Sequence, residues 1–113
     1  MRSCARAEPS PRSPKRTDML VNAVIYTFPA EKAAEAERTL IELRDTSRAE
    51  PGCLTFDVSR SVEDDTVFVL YEEWNDPAAL DVHYATEHFT RLGLNGIRKL
   101  ASQRIGHRCR SLG

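Results

Sequence analysis

Two nine-residue segments, LVNAVIYTF at 20–28 and TVFVLYEEW at 66–74, limit what this chain can become, because each is apolar on both of its alternating faces. In the second, Val67, Val69 and Tyr71 point one way, and Phe68, Leu70 and Trp74 point the other. A chain of 113 residues has room for one core. Helices packed on a single sheet can cover one face, so the other needs a second apolar surface. The simplest supply of that surface is another copy of the chain, and the expected assembly is a two-fold homodimer formed sheet to sheet.

The segments between and after these strands complete the order. Pro29 ends the first strand. Ala33, Ala36, Leu40 and Leu43 then recur at helical spacing, with Glu31, Glu35 and Glu37 early and Arg38, Arg44 and Arg48 late, as the helix dipole favours. Pro51-Gly52 stops this helix. In CLTFDVSRS, Leu54, Phe56 and Val58 alternate with Thr55, Asp57 and Ser59, which predicts a half-buried strand hairpinned through Glu63-Asp64-Asp65 to TVFVLYEEW. Asn75-Asp76-Pro77 offers an Asp cap with proline at the first helical position. The helical region it opens can turn Leu80, Tyr84, Phe89, Leu92, Ile97 and Leu100 to a core, with Gly93 and Gly96 expected to interrupt it. Gln103 to Leu112 is read as a last edge strand. Strand, helix, strand, strand, helix, strand is the α+β split βαβ, or ferredoxin-like, arrangement, an antiparallel sheet with both helices on one face.

Composition narrows the function. Residues 1–18 hold three of the six prolines and no Leu, Ile, Val or aromatic, so they read as a disordered tail before a domain spanning 19–113. Setting aside their five basic and two acidic residues leaves eleven basic against fifteen acidic, or −4 for the domain. A nucleic-acid partner is not expected of an acidic domain. Cys4, Cys53 and Cys109 are an odd number at wide spacing, which gives neither a disulfide framework nor a metal knuckle. Without an apolar run near 20 residues or a leader-like apolar start, neither a membrane span nor export is expected, and a cytoplasmic location fits.

The densest run of reactive side chains is YEEWNDPAALDVHYATEHF, which holds Tyr71, Glu72, Trp74, His83 and His88. Glu72 and Trp74 lie two apart on the strand face shared with Phe68 and Leu70, so Glu72 is a carboxylate beside a core unless the strand end frays into solvent. His83 and His88 are five apart. On a straight helix that is a rotation of about 140°, which separates the rings and argues against a shared metal unless the helix breaks near Thr86. His83 and Glu87 are four apart and able to pair. No phosphate loop, dinucleotide fingerprint or nucleophile elbow is present, and no thiol has an activating context.

The run from Glu50 to Phe89 resembles the middle of the antibiotic-biosynthesis-monooxygenase family: a PGC turn, a hairpin ending Glu72-x-Trp74, then a helix with His83, His88 and Phe89. That resemblance implies a dimeric α+β barrel. It also implies a cofactor-independent oxidation by O2 of a small phenolic, quinol or polyketide-like aromatic held between sheet and helices, with no metal or flavin. His83 would be the base, and Asn22, Phe56, Tyr71, Glu72, Trp74, His88 and Phe89 would contact the substrate. An isomerase-like branch acting on a small phosphorylated hydroxycarbonyl compound, and a dimeric binding module without catalysis, are the alternatives. Haem cleavage is disfavoured, since that branch places tryptophan at His83 and an axial histidine at Gly93.

Overall fold

The computed structural model describes residues 18–113, so all of the expected tail except Asp18 lies outside the described residues. Four strands and the helices follow in the expected order. β1 is Leu20–Thr27, and a 3-10 turn at Ala30–Lys32 leads into α1, Ala33–Arg48. The hairpin β2, Cys53–Arg60, and β3, Val67–Trp74, comes next, followed by α2, Pro77–Tyr84. A π-helical segment, Phe89–Ile97, runs into one α-turn, α3, Arg98–Leu100, and β4 is Gln103–Arg110. The sheet order is β2-β3-β1-β4, antiparallel throughout, which is the ferredoxin-like arrangement. Among the described residues no helix is long and apolar enough to cross a membrane.

The even-numbered residues of β1 and β3 face the helices. Val24, Tyr26, Phe68, Leu70 and Trp74 join Ala36, Leu40 and Leu43 of α1, Leu80 of α2, and Phe89, Leu92 and Ile97 of the π-helical segment in one core. The Asp76 side chain accepts from the Ala79 N–H at 2.9 Å, with Pro77 beginning α2, so the predicted cap is the one that forms. On the opposite face Ile25 pairs in register with both Val69 and Ile105, and the three make an exposed apolar row across β3, β1 and β4.

Two local expectations are corrected. Leu54 does not share the inner face with Phe56: a bulge sets Cys53 opposite Trp74 and Thr55 opposite Glu73, and the extra residue, Leu54, turns outward. The helical break falls at Ala85–Thr86 rather than at the glycines. Through Gly93 and Gly96 the helix widens, and the Arg98 N–H reaches the Gly93 carbonyl five residues back. Gly93 is where the Phe89 ring lies, since a Cβ there would sit 2.5 Å from the ring edge.

Candidate active site

Three elements converge on Trp74 at the end of β3. Glu72, two residues earlier, is 3% exposed, so its carboxylate is inside the protein rather than at a frayed end. Its Oε1 accepts from Asn22 Nδ2 of β1 at 3.1 Å and from the Trp74 indole N–H at 3.0 Å. Both donors are neutral. Burial therefore outweighs them and pushes the Glu72 pKa above the ordinary carboxylate value. The Asn22 amide also lies 3.4 Å from the Tyr84 hydroxyl, which extends the network to the end of α2.

A second buried carboxylate meets the histidines. Glu50, in the turn between α1 and β2, keeps only 8% of its side chain exposed, and its Oε2 is 2.7 Å from His83 Nδ1 and 2.6 Å from His88 Nε2. The helix break explains this meeting. The Thr86 hydroxyl donates to the His83 carbonyl and accepts from the Phe89 N–H, which ends one helix and starts the next. The rotation predicted for an unbroken helix is lost, and the two imidazoles close on one oxygen with their centroids 6.0 Å apart. His83 pairs with Glu50 and not with Glu87, whose carboxylate lies 3.6 Å from Arg91.

The His83 ring is 1% exposed and packed by Trp74 at 4.6 Å, Phe89 at 5.0 Å, Tyr84 at 5.5 Å and Phe56 at 6.0 Å. Desolvation lowers its pKa from 6.5, against the raising pull of Glu50, so the ring is neutral at pH 7. Cys53, half-buried beside these groups, has its thiol pushed up to about 11 by burial and the Glu50 charge, and it supplies no thiolate. Glu50, His83 and His88 are also the group among the described residues whose donor atoms, all within 4.8 Å of one another, would suit a metal ion. The contacts through Oε2 are hydrogen-bond lengths, and the carboxylate would have to withdraw from both rings to admit one.

Beside this core a cavity of about 410 Å³ opens between the helical layer and the β1–β4 side of the sheet, lined by Asn22, Tyr84, Phe89, Arg98, Arg104 and Arg108 among others. Tyr84 and Phe89, with ring centroids 4.8 Å apart, line it and also touch His83. The fold thus brings Asn22, Phe56, Glu72, Trp74, His83, His88 and Phe89 into one neighbourhood. Tyr71 stands apart on the opposite sheet face, where its hydroxyl donates to Glu73. Sequence reasoning missed Glu50, Tyr84 as a polar contact, and the arginines. Glu50 did stand first in the EPGC turn, which was the available signal.

A ferredoxin-like α+β domain with buried polar groups between sheet and helices is the class that fold and site define. The model of the antibiotic biosynthesis monooxygenase family matches residues 19–92, and the chain belongs to that family. It is 34% identical over 71 residues to "Putative monooxygenase YcnE" of Bacillus subtilis, covering 63% of this chain and 75% of that one. An uncharacterized Synechocystis protein, sll1783, is 36% identical over 59 residues, which are 52% of this chain but only 38% of the relative's length. The crystal structure of PA3566 from Pseudomonas aeruginosa superposes with a TM-score of 0.80 at 32% identity, over 88% of this chain and 99% of that one.

Proposed function

We propose that this chain is a monooxygenase that uses O2 without metal or flavin to oxidise a small phenolic, quinol or polyketide-like aromatic. The observation that carries the reading is the Glu50–His83 pair. Glu50 engages Nδ1, which leaves Nε2 as the proton acceptor of a neutral ring, and that ring touches both aromatic walls of the cavity. His83 removes the acidic proton of the bound aromatic. The resulting anion gives one electron to O2, and the two radicals combine at ring carbon to a hydroperoxide. Loss of water leaves the carbonyl, so the substrate supplies two electrons and two hydrogens, one oxygen atom enters the product, and the other leaves as water. Glu72, its pKa raised by burial and its carboxylate linked through Asn22 to Tyr84, supports the polar wall of the cavity.

The test is oxygen uptake against a panel of quinols and anthrones. Turnover above the blank is expected, with His83→Ala lowering it by about 10²- to 10⁴-fold and chelators leaving it unchanged. Uptake no faster than the blank across the panel sinks the reading, and a rate that chelation abolishes and zinc restores transfers the cluster to a metal role.

The same reading includes a homodimer that buries the row of Ile25, Val69 and Ile105, since an apolar row on an open sheet face is costly to leave in water. A solution mass of one chain at micromolar concentration would remove that part.

A further inference from the structure

The cavity carries more positive charge than the proposed oxidation requires. Arg98, Arg104 and Arg108 all line it. Arg104 and Arg108 alternate with Gly106 on β4, opposite Tyr26 and Asn22 in the register, and so project on the helix side of the sheet. Every residue of β4 is nevertheless exposed, because the helical layer does not extend over this edge. Gly106 leaves room for the Arg104 guanidinium, which lies 3.1 Å from where a Cβ would stand.

Each guanidinium is set against an aromatic ring, and of the three only Arg108 also has a carboxylate within 4 Å. Arg98 lies over Phe89 at 5.3 Å and Tyr84 at 5.9 Å, and its Nε is buried with no hydrogen-bond partner. Arg108 lies over Tyr84 at 5.6 Å, and Arg104 over Tyr26 at 5.8 Å with a long bond to that hydroxyl. Arg108 pairs with Asp81 at 3.9 Å, the Arg104 charge is felt by the buried Glu72, and Arg98 and Arg104 have no ion-pair partner within 4 Å among the described residues. Like charges gathered on one cavity repel, and an anion placed between them relieves the repulsion. The planar guanidinium fork matches a carboxylate or phosphate, and aromatic rings beside it suit a flat ligand.

We propose that the cavity takes an aromatic compound bearing a fixed oxyanion, a carboxylate or a phosphate, which Arg98, Arg104 and Arg108 bind while Tyr84 and Phe89 hold the ring. This rests on the cavity being the substrate site. It deepens that reading by requiring a permanent charge in addition to the phenolate formed during reaction.

Calorimetric binding of 1-hydroxy-2-naphthoate, its methyl ester and 1-naphthyl phosphate at pH 7 tests it on the full chain. At least one anion is expected to bind tenfold or more tightly than the ester, with an advantage that shrinks as salt rises. The exposed-strand variant Arg104→Gln/Arg108→Gln should erase the advantage, as should Arg98→Gln, with circular dichroism confirming that both variants fold. Whichever anion binds more tightly identifies the oxyanion. Equal binding of ester and both anions, an advantage that survives the arginine substitutions, or no binding at millimolar ligand overturns the proposal. The assay involves no oxygen. Anion preference without oxygen uptake would therefore remove only the monooxygenase reading, whereas uptake with a neutral anthrone and no anion preference would remove only this one.

Discussion

Glu72 and Glu50 are two buried carboxylates joined through Trp74 and His83, and the fold satisfies them in different ways. Glu72 receives two neutral donors, an amide and an indole N–H, and burial wins over both, so its pKa lies above the ordinary carboxylate value. Glu50 meets two imidazoles through a single oxygen, while its Oε1 is buried without a partner. A carboxylate facing neutral donors becomes a static polar support. One facing imidazoles can fix a tautomer and share the charge when the ring takes a proton. Trp74 links the two, since its N–H serves Glu72 while its ring packs on His83.

Removing Trp74 has the largest expected effect. Trp74→Ala is expected to cost about 3–5 kcal/mol in urea unfolding, because it opens a cavity at a fully buried position and takes a donor from Glu72. Trp74→Phe keeps a ring against His83 and loses the N–H alone, so its cost should be on the order of 1 kcal/mol.

A smaller effect separates the carboxylates directly. Glu72→Gln keeps an oxygen for Asn22 and Trp74 and cannot ionise, so it should raise stability in urea unfolding at pH 7. The sign follows from linkage. A carboxyl whose folded pKa is raised stabilises least when ionised, so wild type loses stability as pH climbs from 4.5 through the raised value, and the advantage of Gln should vanish below 4.5. A loss of stability at pH 7 would show that Glu72 is held as an anion.

The pH profile of wild type sharpens the contrast from the other side. The folded pKa of His83 lies below its ordinary 6.5, so its neutral burial is fully compatible with folding above 6.5 and costs stability as pH falls below that value. His83→Gln should flatten the slope below 6.5 and leave the region above it unchanged.

Much of this was legible in the sequence, because periodicity and turn chemistry are local. The strand and helix order, the Asp76–Pro77 start and the shared face of Glu72 and Trp74 follow from spacing alone. Glu50 was not legible: it lies 33 and 38 residues from the histidines it binds, and only tertiary closure joins them. A rotation of about 140° belongs to one continuous helix, whereas Thr86 ends the first set of turns and restarts the second. Leu54 followed strict alternation on paper, and a bulge is a pairing event that one strand cannot announce. Arg104 and Arg108 lie in a segment whose sequence pointed to nothing more than a last edge strand. Their place over a cavity depends on where the helical layer ends.

The protonation state of His83 tests the account at its centre. Long-range ¹H–¹⁵N correlation spectra at pH 7 should show a neutral ring protonated on Nδ1, the nitrogen facing Glu50, with Nε2 bare and a titration midpoint below 6.5. A doubly protonated ring at pH 7, or a proton on Nε2, would contradict the assignment of His83 as the base.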